Sequence, residues 1–143
     1  EGPLKKNIQD KIAGNNNIEL NDLISLEEIE KKMQGAYCLI FPSECYETFG
    51  MTIIEAFKNK LPVLSSDIGS QGSIVKNNIN GFLFKAGDAE DLTKKINKMI
   101  NNPLLIKDMK KKAFEDYSMF YSKEKNIELL ISIYKEIINS NKK

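Results

Sequence analysis

Two glutamates and a glycine have residue types and a spacing that suit a phosphorylated sugar. Gly50 stands where a helical pattern begins, so a ligand could approach the unpaired backbone N–H groups of the first turn. The helix dipole adds about half a positive charge there, which attracts a phosphate. Glu47 and Glu55 would repel a phosphate, so we expect them to accept hydrogen bonds from sugar or ribose hydroxyls. Spacing alone favours the ordinary roles of such acids, a helix cap for Glu47 and a solvated position for Glu55.

Strands that alternate with helices are predicted to carry these residues. The apolar run 37–41 predicts a strand that is covered on both faces. Other strands are predicted at 18–20, 62–65 and 82–84, and helices at 4–13, 25–35, 51–59, 88–100, 103–117 and 122–138. This order indicates an α/β fold with a Rossmann-like parallel sheet flanked by helices. Ligands bind beyond the carboxyl ends of such strands, where the loops after Phe41 and Ser65 are rich in small and polar residues.

Capping residues and apolar periodicity define the helices further. Ser25 with Glu28 three residues later forms a capping box, and Asp88 is typical of an N-cap. We expect the apolar face of the last helix to pack on the core, together with nearby aromatic residues that could otherwise form a stacking surface. These residues are Ile127, Leu130, Ile131, Tyr134, Ile138, Tyr117, Phe120 and Tyr121.

Composition predicts one globular domain over residues 1–143 and excludes several chemistries. Basic and acidic residues number 21 and 20, for a net charge of +1, so no nucleic-acid partner is expected. The absence of histidine excludes a histidine general base, a histidine-based triad and the commonest metal ligand.

The two cysteines and the lysine-rich stretch bear on where the protein works. Cys38 and Cys45 are expected to be reduced thiols, as in a cytoplasmic protein. No apolar run approaches the ~20 residues that span a bilayer. The basic run 110–112 is expected to be solvated, with a weak contact to an anionic membrane as the alternative. Because the chain opens with Glu1 rather than Met, we expect it to be part of something longer.

Short motifs occur along the chain in the order that a known enzyme family shows. They are Gly2-Pro3, Pro42-Ser43, Glu47-Thr48-Phe49-Gly50, Glu55-Ala56, Pro62-Val63, Ser66-Asp67-Ile68-Gly69, Ile74-Val75, Asn80-Gly81-Phe82-Leu83, Gly87-Asp88 and Asp91-Leu92. This set resembles glycosyltransferase family four, which has the GT-B fold, with Glu47 and Glu55 as its E-x₇-E pair. The resemblance covers nearly the whole chain, which makes it far more specific than a lone E-x₇-E.

The resemblance implies a role for each residue of the site. Glu47 would be the catalytic-site acid that holds hydroxyls of the transferred sugar, and Glu55 would accept hydrogen bonds from the ribose. The residues implied to bind the donor sugar and diphosphate, largely through backbone N–H groups, are Glu47, Thr48, Phe49, Gly50, Met51 and Thr52. No metal or other cofactor is implied, because fixed positive groups and the helix end would neutralise the leaving diphosphate.

The resemblance also implies what the rest of the enzyme supplies. This chain would be the donor-binding C-terminal part of a retaining glycosyltransferase, with a nucleotide sugar as donor and a glycan or lipid-linked hydroxyl as acceptor. An N-terminal acceptor-binding domain and the basic residues that grip the diphosphate would precede Glu1. The intact protein would work in the cytoplasm, with a possible peripheral contact at the inner face of the membrane.

Two departures from the family pattern affect these expectations. Ser73 stands where the family often has a glutamate, so no specific contact is assigned to that loop. The family's domain has six strands, of which only the last four can be placed here. With the strand order 3-2-1-4-5-6, the fragment would have a gap within its sheet. The chain is then either a cut-down piece or a domain with different pairing.

Two other functions remain open from the residues alone. The chain could be a non-catalytic module that binds a nucleotide, or a partner chain at an exposed sheet edge. It could also belong to another GT-B enzyme, such as a sugar-nucleotide epimerase or a phosphorylase. A phosphorylase would require a pyridoxal lysine, and no lysine here is marked as one.

Overall fold

The computed structural model of the protein describes residues 2–140, which fall into two compact units. The first unit ends at Lys32 and the second begins at Met33. The first contains helix α1 (Lys5–Ile12) and the opening turns of α2 (Leu26–Gly35). Each unit has its own local structure, and the candidate site residues all belong to the second.

In the first unit the predicted capping box is confirmed and the predicted strand is wrong. The Ser25 N–H donates to Glu28 Oε2 at 2.9 Å, and the Glu28 N–H donates to Ser25 Oγ at 3.2 Å. Residues 18–20 belong to no strand. Ile18 and Leu20 are 50% and 40% exposed, so this segment lacks the covered face of a sheet strand.

The second unit is built on a parallel sheet of three strands. These are β1 (Leu39–Phe41), β2 (Val63–Ser66) and β3 (Gly81–Phe84), in the order β1-β2-β3. Leu39 pairs with Val63, and Val63 pairs with Gly81. A Cβ at Gly81 would collide with the Val63 carbonyl oxygen, so this approach of β3 to β2 requires glycine. The predicted gap does not occur in the sheet of the described residues.

Helices flank this sheet, which confirms the predicted α/β fold. They are α3 (Met51–Lys58), α4 (Gln71–Ile74), α5 (Ala89–Ile100), α6 (Pro103–Asp116), a π-helical segment (Tyr117–Tyr121) and α7 (Lys123–Ser140). The Asp88 carboxylate accepts a hydrogen bond from the Asp91 N–H at 3.0 Å, which confirms the predicted N-cap of α5. Helix α4 and the π-helical segment were not predicted.

Buried apolar side chains join the sheet to helices α5 and α6, and others lie on helix α3. Leu64 of β2 and Phe82 of β3 pack with Met99 of α5 and Met109 of α6 in one buried cluster. Helix α3 buries Ile53, Ile54, Ala56 and Phe57 completely or nearly so. Burying such apolar side chains contributes about 1.5–3 kcal/mol each, so the start of α3 is firmly fixed.

The last helix does not pack on the core as predicted. The five apolar residues expected on its inner face are between 46% and 57% exposed: Ile127, Leu130, Ile131, Tyr134 and Ile138. Helix α7 packs mainly on the π-helical segment and buries no residue. Of the aromatic residues assigned to the core, Phe120 is also exposed, whereas Tyr117 and Tyr121 are partly buried. Within residues 2–140, no helix has the length and apolarity to cross a membrane.

Candidate functional site

The predicted anion-binding turn lies at the carboxyl end of β1. Helix α3 begins at Met51, directly after Gly50, and no side chain caps its N-terminus. Gly50 has φ of +80°, and a Cβ there would lie 3.3 Å from Ile53 Cδ1 and 3.9 Å from Ile74 Cδ1. The left-handed backbone and the inward packing both favour glycine at this position, and the approach of a ligand to it stays a prediction. Within the first turn the Ile53 N–H donates to the Gly50 carbonyl oxygen at 2.9 Å, and the N-cap residue Gly50 has no side chain to pair the other N–H groups.

Serines hold the Glu47 segment in place. The Ser43 hydroxyl donates a bifurcated hydrogen bond to Glu47 Oε1 and to the Cys45 carbonyl oxygen, each at 3.2 Å. Ser70 Oγ donates to the Glu47 carbonyl oxygen at 3.0 Å. Ser66 Oγ donates to the Ser43 carbonyl oxygen. The Glu47 side chain itself is exposed, and one hydroxyl leaves most of the accepting capacity of its carboxylate available.

The loop after β2 supports the turn before α3, and the sequence did not predict this. Gly69 has φ of +58°, and a Cβ there would lie 3.0 Å from Tyr46 Cδ1, so the two loops touch. Ser70 adds its bond to the Glu47 backbone, and Gln71 opens the short helix α4. In the sequence, a glycine- and serine-rich stretch directly after a strand predicts a loop at the ligand-binding edge of the sheet. It does not predict that this loop contacts the turn before α3.

Glu55 faces different surroundings from Glu47. It is exposed on α3 and lines a cavity of about 660 Å³ between α3, the π-helical segment and the start of α7. Aromatic and apolar side chains dominate the lining, among them Phe49, Met51, Phe120 and Tyr121. The rings of Phe49 and Tyr121 meet edge to face with centroids 6.2 Å apart. Phe49 therefore links the turn to this cavity, whereas Glu47 does not line it.

The structure also places the two cysteines and the other predicted donor-binding residues. Cys38 and Cys45 are free, and burial raises the pKa of the Cys38 thiol. Among residues 2–140, no group of His, Cys, Asp or Glu side chains is arranged to hold a metal ion. Thr48 and Met51 are exposed and Thr52 is partly exposed, beside the uncapped helix end.

A parallel sheet with an open helix N-terminus at the carboxyl end of its strand defines a Rossmann-like α/β protein. The family model described as "Glycosyl transferases group 1" matches residues 2–116, so the chain belongs to that family. This match confirms a glycosyltransferase family for the chain, whereas family four and its E-x₇-E pair stay predictions.

Relatives and solved structures agree with this assignment. The chain is 32% identical over 139 residues to an uncharacterized glycosyltransferase of Methanocaldococcus jannaschii, covering 96% of this chain and 39% of that protein. It is 28% identical over 136 residues to the poly(ribitol-phosphate) alpha-N-acetylglucosaminyltransferase of Staphylococcus aureus, covering 94% of this chain and 27% of that protein. A glycosyltransferase structure from Rickettsia africae superposes with a TM-score of 0.85 at 28% identity, over 93% of this chain and 36% of that one. The chain thus spans less than half the length of each.

Proposed function

We propose that this chain is the donor-binding part of a retaining glycosyltransferase. The enzyme would move a sugar from a nucleotide diphosphate sugar to a hydroxyl of a glycan or lipid-linked acceptor. The observation that carries the proposal is the uncapped N-terminus of α3, which opens directly beside a serine-held Glu47. A diphosphate suits the helix end, and sugar hydroxyls suit the carboxylate.

Each residue of the turn takes a role in this proposal. The acceptor hydroxyl oxygen forms a bond to the anomeric carbon on the face from which the diphosphate leaves, so the configuration is retained. The hydroxyl proton passes to the departing diphosphate oxygen. Backbone N–H groups of residues 49–52 stabilise the charge that develops on the leaving diphosphate, without a metal ion or other cofactor. Glu47 binds hydroxyls of the sugar, and Glu55 binds the ribose.

The proposal includes that residues 1–143 are a partial domain of a larger enzyme. In this proposal the described sheet, in the order β1-β2-β3, represents the last three strands of the order 3-2-1-4-5-6. Ile40 in the edge strand β1 is 41% exposed, and a short apolar edge without charge or proline is a surface that native sheets usually cover. Upstream strands would cover it, and an upstream domain would bind the acceptor and supply basic groups. A peripheral membrane contact would belong to that intact protein.

Calorimetric titration with UDP, GDP and ADP tests the donor site. We expect one nucleotide to bind, and Glu55→Gln to weaken its binding by about tenfold or more, because a hydrogen bond to a charged group is worth about 1.5–3 kcal/mol. Asp67→Asn is the matched control, since Asp67 is an exposed acid in the neighbouring loop that is assigned no ligand. A full gene product that binds none of the three nucleotides would refute the donor-site assignment.

A further inference from the structure

Gln71, the first residue of α4, is buried without hydrogen-bond partners. Its side chain is fully inaccessible, and both Oε1 and Nε2 lack a partner among the described residues. Native proteins satisfy nearly all buried polar atoms, because an unpaired buried amide opposes folding. A buried amide that has no partner in one state of the protein is expected to have a hydrogen-bond partner in another state.

The neighbours of Gln71 connect its helix to the turn 46–50. A Cβ at Gly69 would lie 3.7 Å from Gln71 Oε1 and 3.0 Å from the Tyr46 ring, so the amide lies beneath the contact between the two loops. The preceding residue, Ser70, donates to the Glu47 carbonyl oxygen. At the other end of α4, Ile74 packs within 3.9 Å of the Cβ position of Gly50. Helix α4 is therefore connected to the turn 46–50 through its N-cap residue Ser70 and lies next to it at its last residue, Ile74.

We propose that Gln71 is a positioning residue for the nucleotide-sugar donor, an inference that rests on the proposed function. When the donor's diphosphate draws the N–H groups of the turn 46–50 toward itself, backbone groups of that turn become hydrogen-bond partners of the Gln71 amide. The ligand then favours the state in which the amide is paired, and the amide in turn favours the ligand-bound turn. Gln71 itself does not touch the donor.

Replacing the amide by an apolar side chain of the same length tests this inference. Gln71→Met keeps the shape and removes both polar atoms. The matched control is Gln34→Met, because Gln34 is exposed and its amide donates to Asn59 Oδ1 at 3.2 Å. Gln71→Leu is a second variant if methionine disturbs the packing. All are made in the full gene product, with UDP, GDP and ADP as probes.

Two readouts are expected to move in opposite directions. Without nucleotide, Gln71→Met should unfold at a temperature a few degrees higher, because an unpaired buried amide has gone. Its affinity for the bound nucleotide should fall about fivefold, as for one lost hydrogen bond. Hydrogen exchange should show that the nucleotide protects residues 46–50 less than in the wild type.

Each other outcome decides against the inference. Unchanged affinity and protection in Gln71→Met would overturn it while leaving the donor site intact. A lower unfolding temperature in both Gln71 variants would show that the amide already has a partner without ligand, which also overturns it. A wild-type protein that binds none of the nucleotides refutes the proposed function first, and this inference with it.

Discussion

The substitution Gly50→Ala tests whether the turn before α3 is built as described. The alanine would keep φ of +80°, and a left-handed conformation costs an L-residue about 1–2 kcal/mol. Its Cβ would lie 3.3 Å from Ile53 Cδ1, and Ile53 is fully buried and cannot easily move away. Because alanine restricts the unfolded chain more than glycine does, the substitution also gains about 0.4–1 kcal/mol of stability, which offsets part of this cost. We expect a net loss of about 1–2 kcal/mol in the free energy of unfolding.

Urea unfolding followed by circular dichroism measures this loss, and Gly35→Ala is the control. Gly35 is exposed at the end of α2, has an ordinary φ, and would place its Cβ in open space. We expect that control to be neutral or slightly stabilising, so the two variants should differ by about 1–3 kcal/mol. If both variants unfold at the same urea concentration, Gly50 is not held in the left-handed conformation and the geometry of the turn is wrong.

Two further predictions concern single acids. Glu47→Ala in the full gene product should abolish sugar transfer, because Glu47 is assigned to the sugar. Nucleotide affinity should change less than about threefold, since Glu47 is assigned no contact with the nucleotide. Unchanged turnover in a transfer assay would contradict that role. The hydrogen bond from the Asp91 N–H lowers the pKa of Asp88 below its ordinary value of about 3.9. The ionised carboxylate therefore stabilises α5 above about pH 3.9, and this stabilisation is lost as the pH falls through the lowered pKa. Wild type should therefore lose more stability than Asp88→Asn between pH 5 and pH 3 in urea titrations, and equal losses would count against the cap.

The sequence predicted the elements whose local signals agree with their surroundings. The apolar runs became β1 to β3, and the Gly50 boundary and the Asp88 cap mark the starts of α3 and α5. Helix α4 was not predicted because its four residues, which include a glycine and a serine, are too few to show a helical hydrophobic period. Contacts with the neighbouring loop stabilise it instead. Its buried Gln71 was not predicted for the same reason.

The errors have a related cause, since periodicity cannot show whether a partner surface exists. Helix α7 carries the apolar residues that suggested a packed face, but among the described residues it packs mainly on the π-helical segment. The apolar residues at 18 and 20 likewise suggested a strand that no neighbouring strand pairs with. At the candidate site, the sequence placed Glu47 and Glu55 correctly on a loop and a helix, but not their different surroundings.

The groups on this chain set the strength of nucleotide binding that the donor site can reach alone. A helix N-terminus contributes about 0.3–1 kcal/mol, or about 2 in a partly buried site, and the Glu55–ribose bond about 1.5–3 kcal/mol. Their sum, about 2–5 kcal/mol, corresponds to dissociation constants near or above millimolar. The loop 42–50 adds Glu44 and Glu47 but no lysine or arginine to offset the charge of a diphosphate. Micromolar binding by the full gene product would therefore require contacts beyond the helix N-terminus and Glu55. The ratio of its affinity to that of the isolated chain measures how much residues outside this chain contribute.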